Sequence, residues 1–297
     1  MRVKNTVQVI TASSILGLKP TGVEGLASTL LANGLVTKVG AAQTIVEVPP
    51  LNHLYEAGRP GGSVQNVKAL KKFSLSLSNT IQSHASKEKF LLVLGGDCSI
   101  LIGVMLGLKR RGTYGLFFFD GHADFFSEET SITGEAADMD LALVTGRGPE
   151  ILTNIHGVRP YVRDENVVHL GQRDLEETIH YNSPDIRNTS IECLDAVFIR
   201  DHGVENAIQR IAEKLDNNSV DGFWVHFDTD VIEDGSNPAV DYRLPGGLTI
   251  EECQHMLSYI FSKYNVVGMT VSIFNPRLDY DGKIARTLVD LLGEVLH

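Results

Sequence analysis

Short, nearly continuous apolar runs alternate along this chain with longer stretches in which apolar residues recur at helical spacing. The runs Val7–Ile10, Thr44–Val48, Phe90–Leu94, Gly115–Phe119, Val167–Leu170, Ala196–Ile199, Gly222–Phe227 and Asn265–Val271 are rich in β-branched and aromatic residues and predict strands. The helical period predicts helices over Gly22–Asn33, Val64–Ser83, Ile100–Lys109, Ala137–Val144, Val204–Leu215, Ile250–Phe261 and Ile284–Leu296. Strand–helix alternation of this kind predicts an α/β protein with a mostly parallel sheet covered by helices on both faces. A (β/α)8 barrel ranks second, because the rhythm is irregular and the long Phe125–Gly148 segment fits a closed barrel poorly. Glycine and proline fall in turns such as Arg59-Pro60-Gly61-Gly62 and Pro245-Gly246-Gly247, with no repeat and no long linker. One domain over residues 1–297 is the expectation.

Composition narrows the functional classes. The chain has 297 residues, 43% of them hydrophobic, which is enough for a substantial core. A net charge of −11, which the short basic run Lys109-Arg110-Arg111 does not offset, argues against nucleic acid and anionic membrane as partners. No apolar stretch approaches the roughly 20 residues needed to span a bilayer. Met1-Arg2-Val3-Lys4-Asn5 lacks the apolar core of a secretory signal. Cys98, Cys193 and Cys253 make no disulfide framework, so a reducing cytoplasm is expected.

Three acidic clusters each close an apolar run: Gly95-Gly96-Asp97-Cys98-Ser99, Asp120-Gly121-His122-Ala123-Asp124 and Asp228-Thr229-Asp230. Burying carboxylates is costly unless they are paired or bound to metal. In open α/β sheets, ligands bind beyond the carboxyl ends of the strands, where segments far apart in sequence can converge. Asp120, His122 and Asp124 alternate, so an extended chain would turn them to one face, and Asp228 and Asp230 repeat the spacing. Such a mixed oxygen and imidazole set suits one or two Mn²⁺ ions. Two adjacent cations lower the pKa of a shared water and polarise the bond under attack. Turn-forming aspartates and a core histidine are the competing reading.

These motifs resemble the three metal-binding motifs of the ureohydrolase superfamily, which includes arginases, agmatinases and formimidoylglutamases. Gly171-Gln172-Arg173-Asp174, Pro238-Ala239-Val240, Pro245-Gly246-Gly247-Leu248-Thr249 and Asn275-Pro276-Arg277-Leu278-Asp279 are similar to further segments of that family. The resemblance implies a three-layer α/β/α sandwich and a two-manganese centre that hydrolyses a C–N bond of a guanidino, amidino or formimidoyl group on a small molecule. It further implies assembly as a homo-oligomer, a trimer or hexamer. Carried over motif by motif, one metal would take Cys98, Asp120, Asp124 and Asp228, and the other Asp120, His122, Asp228 and Asp230. Asp124 would also orient the attacking hydroxide. Asp97 either supports the neighbouring ligands or simply forms the turn.

The match fails at three positions. Most members have His where this chain has Cys98, a softer ligand; the substitution resembles an arginase-like branch that acts on hydroxyarginine. A buried structural cysteine is the alternative. The proton-shuttling His of arginases falls at Ala137, which leaves Glu135 and Asp138 as replacement acid or base, unless they merely open a helix. The Glu that grips the guanidinium falls at Ile273, which cannot offer a charge-assisted hydrogen bond. Ordinary arginase activity is therefore not expected. Glu176 matches a substrate amino-group contact, or is a surface residue beside Glu177. His169, His226 and Trp224 are expected to pack in the core. A metal-dependent hydrolase is the first reading, and a non-catalytic metal-binding relative the second.

Overall fold

The computed structural model describes residues 6–42, 44–51, 64–216 and 218–296. Eight strands, β1 (Thr6–Ala12), β2 (Val46–Glu47), β3 (Lys89–Gly95), β4 (Tyr114–Phe119), β5 (Val167–Leu170), β6 (Glu192–Leu194), β7 (Gly222–Asp228) and β8 (Val266–Ser272), form one sheet. Their order is β2-β1-β3-β8-β7-β4-β5-β6, and every pairing is parallel. The sheet is open, with β2 and β6 at its edges, which excludes the barrel. The turn at Arg59-Pro60-Gly61-Gly62 lies outside the described residues.

Alternation along the strands builds two cores. Phe90, Leu92, Leu94, Phe117, Phe119, Val225 and Phe227 point to one face and pack with helices Leu26–Ala32, Val204–Leu215, Ile250–Lys263 and Lys283–Leu296. Leu91, Val93, Leu116, Phe118 and Trp224 point to the other and pack with helices Val67–His84, Ile100–Lys109 and Asp140–Val144. The result is the three-layer α/β/α sandwich.

One predicted strand is a helix. Ala196–Ile199 opens helix Ala196–His202, because the Asp195 carboxylate accepts the Phe198 amide at 2.7 Å and caps its start. The edge strand β6 lies just before it at Glu192–Leu194 and pairs with β5. A short β-branched run cannot be told from a helix turn by periodicity alone; the cap at Asp195 decides.

Candidate metal centre

The four central strands, in the order β3-β8-β7-β4, deliver the site at their carboxyl ends. The segment 96–99 follows β3, 120–124 follows β4, Asp228 ends β7 and Ile273 follows β8. Gly96 is required by close packing, since a Cβ there would collide with the Ser14 carbonyl. Asp97 is fully buried and accepts the amides of Gly17 at 3.2 Å and Ser99 at 2.9 Å. It thus fixes the turn that presents Cys98. Burial pushes the Asp97 carboxyl up to about 6 even against those hydrogen bonds.

The Asp120–Asp124 segment is not an extended strand. It leaves β4 at Phe119, and Asp124 takes a left-handed backbone with φ 45°. Side-chain alternation therefore does not unite these residues; hydrogen bonds do. Asp230 accepts the Gly121 amide at 3.0 Å, Asp120 accepts the His122 amide at 2.7 Å, and Asp174 accepts the Ala123 amide at 3.0 Å. Arg173 donates to the Asp230 carbonyl at 2.5 Å, passing over Gly121, where any Cβ would obstruct the guanidinium. The Gly171-Gln172-Arg173-Asp174 loop thus clamps the second and third acidic clusters together.

One pocket of about 130 Å³ is lined by Cys98, His122, Asp124, Asp228 and Asp230, together with Glu135, Asp138, Tyr242, Leu18, Ala137 and Ile273. That is several times what one water needs, so ions and a small solute fit together. His122 Nδ1 lies 2.9 Å from Asp230 Oδ2 and 3.6 Å from Asp120 Oδ1. The ligand atoms of Asp120, His122 and Asp230 lie within 4.8 Å of one another, as do those of Cys98, Asp120, His226 and Asp228, and those of Cys98, Asp124 and Asp140.

The electrostatics of this cluster call for a cation. Burial, then the neighbouring Asp230, pushes Asp120 up to about 7. Burial and then surrounding carboxylates hold Asp124, Asp140 and Asp228 well above the usual carboxylate range. Asp230 goes the other way: burial would raise it, but the adjacent His122 holds it below. Burial opposes charge on His122, yet Asp230 and Asp120 overcome that and raise it. Asp120 Oδ2 and both oxygens of Asp140 are buried without a hydrogen-bond donor. Orphaned carboxylate oxygens beside imidazole and thiol are the donor set a divalent cation needs, so the residues present fit one.

The remaining predicted residues fall in different places. Glu135 is buried at the pocket wall and accepts the Tyr242 hydroxyl at 2.8 Å. Asp138 Oδ2 accepts the hydroxyls of Ser131 at 2.7 Å and Thr133 at 3.1 Å. Glu176 does not line this pocket, whereas its neighbour Glu177 does. A helix turn over Leu175–His180 separates the directions of consecutive side chains, which residue counting could not resolve. His169 is buried, its Nε2 donates to the His122 carbonyl across 2.7 Å, and it is pushed down to about 4 by burial. Trp224 is a packing residue whose Nε1 donates to Thr270 at 2.7 Å.

Two residues that motif reading left out stand in the site. Asp140, at the start of helix Asp140–Val144, is fully buried against Cys98 and Asp124. His226, expected in the core, is indeed buried and stacked on Phe118 at 4.9 Å, yet its ring also reaches the Cys98 and Asp228 ligand atoms. Its spacing from Asp228 by two residues on one strand was the available signal. The three departures also converge. Cys98, Ala137 and Ile273 join Leu18, Val23 and Val240 in one small apolar cluster.

Comparison with known proteins agrees with this architecture. The model of the Arginase family matches residues 49–297. The arginase of Staphylococcus aureus (strain MRSA252) is 28% identical over 233 residues, covering 77% of this chain and 75% of its own length. The crystal structure of arginase from Bacillus cereus superimposes with a TM-score of 0.85 at 25% identity, covering 98% of each chain. The arginase of Bacillus caldovelox gives 0.85 at 26% identity, again over 98% of each.

Proposed function

This chain belongs to the arginase family, and on that premise we propose that its pocket is a divalent-metal centre, with Mn²⁺ as the expected cation, that hydrolyses a C–N bond of a guanidino, amidino or formimidoyl group. The observation that supports this reading most is the convergence of Asp120, His122, Asp230, Asp228, Asp124 and Cys98 from three distant segments, with orphaned carboxylate oxygens among them. Cations bound there would supply positive charge against the charge that develops on the substrate and would acidify a bound water.

The chain's own residues divide the remaining work. Asp120 belongs to both ligand groups, and Asp228 accepts from Cys98 and from the Asp230 amide, so these two carboxylates would serve both ions, with His122 and Asp230 on one side and Cys98 and Asp124 on the other. Asp124, which lines the pocket, would accept a hydrogen bond from the attacking water and so orient it. Glu135 carries the proton to the departing amine, positioned by the Tyr242 hydroxyl. Asp138, whose Oδ2 accepts two hydroxyls, holds the loop that presents Glu135. Glu177, in place of Glu176, faces the substrate's polar end.

A second reading has a specific observation behind it. Cys98, Ala137 and Ile273 make an apolar wall where the family pattern has two histidines and a glutamate, which would suit a non-catalytic metal-binding relative. Turnover decides between them. The manganese-loaded protein should release urea, ammonia or formamide from at least one member of a guanidino, amidino and formimidoyl panel. Full metal loading with no turnover across the panel would leave the non-catalytic reading. Assembly as a trimer or hexamer is proposed from the family and is open to sedimentation analysis. Among the described residues no helix is long and apolar enough to cross a membrane.

A further inference from the structure

His226 and Asp228 point to the same face of β7, toward helices Ile100–Lys109 and Asp140–Val144. The His226 ring is fully buried, with Nε2 3.3 Å from Ser272 Oγ and 4.0 Å from Asp140 Oδ2. Ser272 Oγ in turn lies 3.4 Å from Cys98 Sγ, and Cys98 Sγ lies 2.6 Å from Asp228 Oδ2. The ligand atoms of Cys98, Asp120, His226 and Asp228 all fall within 4.8 Å of one another, and all four residues are buried. Asp120, whose Oδ2 is orphaned, belongs to this group, and the orphaned Asp140 carboxylate flanks it through Cys98.

One sulfur, one imidazole nitrogen and two carboxylates around a single point differ in kind from the harder Asp120, His122 and Asp230 group beside them. Four donors of this mixture suit a small, borderline-soft cation in tetrahedral coordination, whereas Mn²⁺ favours oxygen-rich octahedral surroundings. The imidazole of this group comes from β7, two residues before Asp228.

We propose that Cys98, Asp120, His226 and Asp228 form a thiolate–imidazole–carboxylate site that takes zinc in preference to manganese. The proposal rests on reading the pocket as a metal centre. The zinc ion forms bonds to the thiolate sulfur, the imidazole nitrogen and the carboxylate oxygens without any change of oxidation state. The thiol proton passes to solvent as the thiolate binds.

The test uses the full chain, stripped by a chelator and loaded with one equivalent of Co²⁺ as a spectroscopic substitute for zinc. A thiolate-to-cobalt charge-transfer band should appear, one equivalent of zinc should remove it, and excess manganese should not. Cys98→Ser should abolish the band. His226→Gln should weaken zinc binding by at least about tenfold while leaving manganese at the Asp120–His122–Asp230 group. X-ray absorption on the zinc-loaded wild-type protein reads sulfur and imidazole neighbours directly, so the proposal does not depend on either variant folding. An absent band, a zinc shell without sulfur, or unchanged zinc affinity in folded His226→Gln would each overturn it. Manganese binding with no preference for zinc would overturn this proposal alone. Failure to bind any divalent ion would overturn the metal-centre reading as well.

Discussion

The Cys98 thiol donates to the Asp228 carboxylate across 2.6 Å, joining two strand ends that lie 130 residues apart in sequence. Burial and then the Asp228 charge push the thiol well above its ordinary range, so the metal-free chain keeps its proton there. Cys98→His is therefore expected to raise manganese occupancy at neutral pH, because a neutral imidazole has no such proton to lose. Manganese binding by the wild-type protein should strengthen as pH rises, and that of the variant should strengthen less, because only the crowded carboxylates then have protons to lose. Calorimetric titrations at two pH values check this; identical stoichiometry and pH dependence would mean that Cys98 is not a ligand.

Asp228 touches both halves of the cluster, accepting from Cys98 and, at 2.8 Å, from the Asp230 amide. Asp228→Ala should abolish metal binding and activity together. Metal analysis on the folded variant is the measurement, and full occupancy with lost activity would contradict a bridging role.

The crowded carboxylates give the metal-free protein a defined pH response. Asp97, pushed up to about 6, and Asp120, to about 7, bind protons more tightly when folded than their unfolded value of 3.8. Their contribution to stability is present below about pH 4 and is lost as pH rises through 6 to 7. His169 and His226, pushed down to about 4 and about 3 by burial, act in the opposite sense, destabilising the fold as pH falls below about 6.5. As pH rises from 6.5 to 8 the unfolded imidazoles lose their remaining charge, and by pH 8 they are neutral whether folded or unfolded, so there the carboxylates dominate. The gain in Tm on adding manganese should accordingly grow from pH 6.5 to pH 8. A gain that shrinks over that interval would show that the cation does not relieve this repulsion.

How far the site was legible depended on where its information lies. Gly95-Gly96-Asp97, Asp120-Gly121-His122 and Asp228-Thr229-Asp230 are local patterns at strand ends, and the parallel sheet brings them together as expected. Helices Ile100–Lys109 and Val204–Leu215 begin and end where the apolar period does. The parts that were not legible depend on three-dimensional neighbours. Asp140 sits in a helix start whose burial comes from packing, and His226 looks like a core residue because it is one until Cys98 and Asp140 are placed beside it. Ala137 and Ile273 could be noticed one at a time, but their meeting with Cys98 in one apolar cluster is a property of the fold.

Ile273 lines the pocket with an apolar side chain held at φ 69°, a strained backbone for a β-branched residue. Arginine should consequently be a poor substrate, with a kcat/KM below about 10⁴ M⁻¹s⁻¹, and Ile273→Glu should raise it by supplying a carboxylate. Steady-state kinetics on both proteins decides; efficient arginine hydrolysis by the wild type would show that the guanidinium is gripped elsewhere, with Glu135 and Glu177 the first residues to change.

The central claim is that the three acidic strand ends hold the cations on which hydrolysis depends. The most direct measurement adds manganese stepwise to chelator-stripped protein and records bound metal and product release from the best panel substrate in the same samples. Activity should rise in step with occupancy and saturate at one or two ions per chain. Turnover that persists in the stripped protein, or that shows no relation to bound metal, would contradict the account.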